Sequence, residues 1–388
     1  MIADKEKIRN ALPGIALAEF EVSCLIKMAQ TVLHSNSYTY PLVDFDANLT
    51  QIFVKHPITQ YAVIILCEYV EVLAVVEADT VEEFKELINY SLLRKLRNKL
   101  HLFQTRQNWK VSADIISSQI SNFSMDVIDE FFYLRNDISL FIEIAEEGKL
   151  FCGTNYLYLY MLRRIDELQN KQKSIQNIIT NVFQALRGLT DHVRREKFNL
   201  ADLEFSTNNK PIAGIDYKSA DLFARLELEE STTFRLLLSL TLISYSLYLQ
   251  KNLFDSVRSD DLWYCFSCKF LAIAFDEAVD NINNMLKHPA ETEKSKLRTI
   301  FSECNFDAKR LKSIEFARQL RNTLHYEKTR LDTSLIENTT ASYVKALYIS
   351  NTSIATMDEF RESGDQLLND SLNLQRAIRQ IFKLDGKF

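Results

Sequence analysis

Glycine and proline are scarce in this chain, and their scarcity restricts its fold more than any other feature. The sequence has 7 Gly and 5 Pro among 388 residues, where average usage would give roughly 27 and 19. A β-rich or doubly wound protein needs many tight turns, which depend on these two residues. The composition therefore predicts long helices joined by few turns.

Apolar residues recur at the spacing of amphipathic helices through most of the sequence, and no segment alternates convincingly as a strand. The predicted helices lie near residues 15–34, 58–78, 80–102, 110–121, 124–147, 155–170 and 172–197, and near 218–229, 232–252, 260–287, 292–302, 307–327, 338–350 and 356–384. The apolar stretch Tyr61–Val76 is interrupted by Glu68 and Glu71, which favours a buried core helix over a membrane span. The predicted class is all-α.

Residues 205–219 are the best candidate for a linker between two helical regions. They combine Pro211, Gly214 and a pair of Asn residues, which are typical of turns and loops. The sequence therefore predicts one helical bundle over residues 1–204 and a second over residues 220–388. Two such bundles could be pseudo-symmetric, like an isologous dimer fused into one polypeptide.

One octet occurs twice, once in each predicted bundle. Residues 94–101 read RKLRNKLH and residues 318–325 read RQLRNTLH. Packing alone would explain a repeat that kept only its two Leu, but this one also keeps two Arg, one Asn and one His. On a helix, where successive residues turn by about 100°, both Arg and the His share one face and the Leu residues point toward a core. The repeat indicates duplicated chemistry or duplicated ligand contact.

The repeated side chains suit metal-free cleavage of RNA, in which the ribose 2′-hydroxyl attacks the neighbouring phosphate. Imidazole moves protons near neutral pH, and guanidinium groups stabilise a charged phosphorane. Both octets lie in basic islands of a chain whose net charge is −6, as expected where phosphates dock. The catalytic candidates are Arg97, Asn98, His101, Arg321, Asn322 and His325. The RNA-binding candidates are Arg94, Lys95, Lys99, Arg106, Arg318, Lys309, Arg310 and Lys312.

At these octets the sequence resembles the HEPN superfamily, all-helical bundles found in many prokaryotic RNases, toxins and phage-defence proteins. The hallmark of that superfamily is an Arg followed by a polar residue, then four to six residues and a His. The Arg-Asn pairs at 97–98 and 321–322, with His101 and His325, match its start and its end, with three residues between Arg and His. The resemblance implies two HEPN-like bundles whose motifs meet, RNA as the partner, and a metal-independent endoribonuclease without a cofactor, of a phage-defence or toxin type.

The short spacing between Arg and His leaves three functions open. Measured from Arg94 or Arg318, six residues precede the His, but Lys95 and Gln319 then replace the usual polar partner. The leading prediction is the endoribonuclease, and the alternative is a non-catalytic helical scaffold that binds RNA or a protein through degenerate motifs. The third interpretation is structural, with Arg and Asn tying the two halves together by buried hydrogen bonds.

The remaining composition predicts a cytoplasmic protein without a membrane span or a metal. Six scattered cysteines show no disulfide-framework spacing, and the N-terminal residues alternate in charge. The C-x-x-C pair at 265–268 has no second pair, so core thiols are favoured over zinc ligands. The acid pairs Glu68/Glu71 and Asp276/Glu277, the latter with Asp280, lack the Glu-x-x-His motif of carboxylate-bridged metal bundles. Besides RNA, the expected partner is a protein or a second copy of the chain.

Overall fold

The computed structural model describes the chain in segments. These are residues 2–34, 47–76, 81–102, 141–146, 149–154, 174–191, 193, 198–204, 212–217, 224–287, 290–336 and 339–384. The described residues are predominantly helical, as the composition and the periodicity predicted. The predicted helices near 110–121 and 155–170 lie outside them.

Five of the helices precede residue 200. They are α1 (Ile2–His34), α2 (Ala47–Val76), α3 (Val81–Leu87), α4 (Tyr90–Leu102) and α5 (Ser174–Gly188). Helix α2 packs along α1 and also contacts α4 and α5. The stretch Pro57–Val76 of α2 is long and apolar enough to cross a membrane, but 83% of its apolar window is buried inside the protein. Such burial is typical of a core helix, as the sequence predicted.

Six longer α-helices follow in the second half of the described chain. They are α6 (Glu230–Leu249), α7 (Asp261–Met285), α8 (Glu291–Glu303), α9 (Ile314–Asn322), α10 (Thr340–Ser350) and α11 (Met357–Ile381). The central helix, α7, begins where the Asp260 carboxylate accepts from two backbone N–H groups, a typical N-cap. Cys265 and Cys268 are buried free thiols on α7, which agrees with their interpretation as core residues.

A small antiparallel sheet lies within this predominantly helical chain. Strands β1 (Phe141–Glu146), β2 (Lys149–Thr154) and β3 (Ile212–Tyr217) pair in the order β2-β1-β3. The predicted helix 124–147 is therefore wrong over β1, and residues 212–217 of the predicted linker form a strand. The alternation Ile-Glu-Ile at 142–144 is the period-two signal, but it is too short to stand out among helical patterns.

One hydrophobic core includes residues from both predicted bundles. Phe20 of α1 packs edge-on against Phe266 of α7 and Tyr348 of α10, with ring centroids 6.4 and 6.2 Å apart. Tyr61 of α2 stacks on Phe270 of α7. Within the described residues, the helices on both sides of the predicted boundary share this core, and two pseudo-symmetric bundles are not seen.

Candidate functional site

The first octet lies on α4 and directs Arg97 toward α2. Leu96 is buried, as the helical spacing predicted. Arg97 donates through Nη2 to Oε1 of Glu68 and through Nη1 to Oε1 of Glu71, the latter at 3.3 Å. Because Glu68 and Glu71 lie one turn apart on α2, a single guanidinium binds both carboxylates.

The other side chains of this octet are described only in part. Arg94 and Lys95 are exposed at the surface of α4. Four predicted site residues have side chains outside the described part of the chain, namely Asn98, Lys99, His101 and Arg106. Their catalytic and RNA-binding roles stay predictions.

The second octet does not remain helical to its end. Helix α9 ends at Asn322, and a 3₁₀ turn, Tyr326–Lys328, follows. The predicted helix over 307–327 is therefore confirmed over Ile314–Asn322 and wrong beyond Asn322, where it would have placed His325 on the same face as the octet's two Arg. The Thr323 hydroxyl donates to the Leu320 carbonyl at 2.7 Å, and the Leu324 N–H bonds Arg321 O instead of continuing the α-helical ladder. Local side-chain bonding of this kind competes with helix continuation.

Arg318 and Arg321 of this octet face Asp276 on α7. Arg321 Nε lies 3.5 Å from Asp276 Oδ2, and Arg318 Nε lies 3.9 Å from Oδ1. These are ion-pair distances, but neither carboxylate oxygen has a hydrogen-bond partner. Burial, together with the negative charge of Asp280, raises the pKa of Asp276 to about 6, although both Arg residues oppose the shift. In each octet, Arg side chains thus lie at ion-pair distance from a carboxylate on a core helix.

His325 joins the two octets. Its Nδ1 lies 3.7 Å from Oε2 of Glu68, whose other oxygen accepts from Arg97. The side-chain interaction with Glu68 raises the pKa of His325 above its ordinary value, although partial burial opposes the shift. The imidazole is half exposed, at 48%, so a ligand can reach it. A guanidinium from one octet and an imidazole from the other therefore meet at one buried carboxylate.

A buried polar cluster fixes the turn that follows the second octet. Glu21 of α1 pairs with Lys269 of α7 at 2.8 Å and accepts hydrogen bonds from the hydroxyls of Tyr326, at 2.6 Å, and Tyr348, at 2.8 Å. All four side chains are buried. Gly14 lets α1 approach this turn, because a Cβ there would lie 1.8 Å from the Tyr326 carbonyl oxygen. The backbone beside His325 is thus anchored in the core.

The remaining RNA-binding candidates lie between α8 and α9. Lys309, Arg310 and Lys312 are exposed, and Arg310 pairs with Asp307 at 3.6 Å. A surface cavity of about 380 Å³ lies here, and the residues that line it include Arg310, Phe301 and Phe306. Asn322, the remaining catalytic candidate of this octet, is also exposed.

Metal-ligating side chains also lie at the junction of the octets. Glu68, His325 and Glu327 each offer a donor atom, and the three atoms lie within 4.8 Å of one another. The sequence predicted no metal, because these residues are far apart along the chain and do not form a motif of known ligand spacing.

The carboxylate partners of the octets and the buried Glu21–Lys269 pair were not predicted to have a role in this site. Glu68 and Asp276 were recognisable only as members of acid pairs on apolar helices upstream of each octet. Lys269 was a single charge in an apolar stretch, a signal that could have marked it as buried, whereas Glu21 stood beside a second acid, Glu19. Comparisons with family models, curated proteins and solved structures found no match for the chain.

Proposed function

We propose that this protein is a metal-independent endoribonuclease of HEPN type, acting as a phage-defence or toxin effector. The observation that supports it is the convergence of Arg97 and His325, from two distant octets, on Glu68. Cleavage of RNA needs a proton-transfer group and a charge-stabilising group within reach of one phosphate. A surface where imidazole and guanidinium share one carboxylate meets that need.

In this mechanism His325 moves the proton and Glu68 holds its ring. Because Nδ1 faces Glu68, Nε2 is left for the substrate, as in sites where a carboxylate orients a catalytic His. The 2′-oxygen attacks phosphorus and gives its proton to His325. The bond between phosphorus and the 5′-oxygen then breaks, and the 5′-oxygen takes up a proton. The products are a 2′,3′-cyclic phosphate and a 5′-hydroxyl, and Arg97 and Arg321 stabilise the phosphorane between them. Asn98, His101 and Asn322 complete the proposed site.

A non-catalytic RNA-binding scaffold is the second candidate, and the pairing of the octet Arg residues favours it. Arg97 already binds two carboxylates, and Arg318 and Arg321 lie at ion-pair distance from Asp276. A phosphate therefore has to compete with these carboxylates for the Arg side chains. The exposed cations at 309–312, beside a cavity that Arg310 helps to line, suit the binding of phosphates without any cleavage.

Cleavage of labelled RNA in EDTA separates these candidates. The wild type is expected to produce 2′,3′-cyclic phosphate ends, and His325→Ala to cleave about 10²–10⁴-fold more slowly, the usual contribution of a proton-transfer group. His101→Ala tests the first octet in the same way, and His34→Ala is the control because His34 belongs to neither octet.

Two results would count against cleavage. Equal rates for the wild type and both octet variants, or no cleavage by any of them, would remove the nuclease proposal. RNA binding that weakens steeply with salt would then support the scaffold.

A further inference from the structure

One imidazole and two carboxylates converge where the second octet meets α2. Their donor atoms lie within 4.8 Å of one another. A metal ion held at about 2.0–2.2 Å by each donor sets neighbouring donors roughly 3.3–3.6 Å apart in a tetrahedral site. The 3.7 Å between Glu68 Oε2 and His325 Nδ1 is already close to that spacing, so only the exposed Glu327 side chain has to adjust.

The fold holds two of these residues in place through the residue between them. Tyr326 is fully buried, and its hydroxyl donates to Glu21. His325 and Glu327, which flank it, are exposed. The Lys328 N–H donates to the His325 carbonyl at 2.8 Å and closes the turn. The core therefore fixes the backbone that carries both candidate ligands.

The third residue, Glu68, is oriented by a partner outside the grouping. Arg97 binds Oε1 of Glu68, which leaves Oε2 directed at His325. Carboxylates that bind metals are typically held by such an outer hydrogen bond. The carboxylates of Glu68, Glu71 and Glu327 lie here with the guanidinium of Arg97, and Lys328 and Lys269 add positive charge near His325 and Glu68. The donor types and their spacing, rather than the net charge, therefore favour a metal ion.

We propose that Glu68, His325 and Glu327 bind a divalent transition-metal ion, with Zn²⁺ as the best match to one imidazole and two carboxylates. Three protein ligands leave the remaining coordination position to solvent. The ion binds Nδ1 of His325, the nitrogen that faces Glu68. The proposed cleavage uses Nε2 and no metal, so the ion has no part in it. Binding of metal is measured without RNA and does not depend on the proposed function.

Titration calorimetry of the metal-stripped full-length protein with Zn²⁺ tests the site. The expected result is one ion per chain, with affinity lowered by about tenfold or more in His325→Ala and in Glu327→Gln. Glu303→Gln removes an exposed glutamate of α8 that is not one of the three ligands and is expected to bind as the wild type does. Circular dichroism checks that each variant is folded.

Co²⁺ identifies the ligands by absorption. The wild type is expected to show the visible bands of a low-coordinate Co²⁺ site, and Glu327→Gln is expected to lose them. A sulfur-to-cobalt charge-transfer band would assign the ion to a cysteine and overturn the proposal. Equal Zn²⁺ affinity in the wild type and both ligand variants, or no stoichiometric binding, would also overturn it.

Discussion

Replacing Asp276 with Asn is expected to change how stability depends on pH. The carboxyl is 1% exposed, and its oxygens have no hydrogen-bond partner, so burial disfavours its charged form. Its pKa is about 6 in the folded chain, against about 3.9 for an Asp in an unfolded chain. The folded state therefore holds this proton over a pH range in which the unfolded state has released it.

The sign and the size follow from that difference. Below about pH 3.9, protonated Asp276 makes its full contribution to the free energy of unfolding. This contribution is lost as the pH rises toward and through about 6. A pKa difference of about 2 units, at 1.36 kcal/mol per unit, corresponds to about 3 kcal/mol in total. The Asn side chain in Asp276→Asn cannot ionise, so the free energy of unfolding of this variant does not fall with pH on account of residue 276.

Urea denaturation of the wild type and Asp276→Asn across this pH range measures the effect. The free energy of unfolding of the variant, minus that of the wild type, should rise by about 3 kcal/mol from the acid end to neutral pH. Asp280→Asn removes the negative charge that helps to raise the pKa of Asp276. In that background the rise of about 3 kcal/mol should be smaller. A difference that does not change with pH would refute the reasoning. A difference that falls with pH would show that pairing with Arg318 and Arg321 outweighs burial.

Three further variants probe the core and the basic surface. Lys269→Met leaves Glu21 buried without its cation, so the free energy of unfolding should fall by about 3–5 kcal/mol; a loss below about 1 kcal/mol in urea denaturation would contradict this. Gly14→Ala forces a methyl group onto the Tyr326 carbonyl and should cost about 1–3 kcal/mol, seen as a lower melting temperature; an unchanged one would refute the close approach. Lys309→Ala should reduce the slope of log RNA affinity against log salt by about 1, and an unchanged slope would exclude a phosphate contact there.

The sequence predicted the helices well because their signal is local. Periodic apolar residues and scarce Gly and Pro act within a few turns of chain, so most helices and the buried Leu96 and Leu320 were predictable. The sheet was not, because β1 pairs with β3 across a long stretch of sequence. No local pattern carries such a pairing.

The candidate site was predictable only in its repeated part. The octets mark Arg97 and His325, but the contact of both with Glu68 depends on packing between α2, α4 and the turn after α9. The helix of the second octet ends at a local bond from the Thr323 hydroxyl to the Leu320 carbonyl, and the turn that follows is held by the bond from the Tyr326 hydroxyl to Glu21. Helical periodicity takes account of neither bond, so it extended the helix too far.

A double-mutant cycle on RNA cleavage asks whether the two octets act as one site. The rates of the wild type, Arg97→Ala, His325→Ala and the double variant are compared in EDTA, after urea denaturation has shown that each variant is folded. Groups that act together in one site are strongly non-additive, so the double variant should be about as slow as His325→Ala alone. Additive losses would mean that Arg97 and His325 act independently, and would contradict a composite site at Glu68.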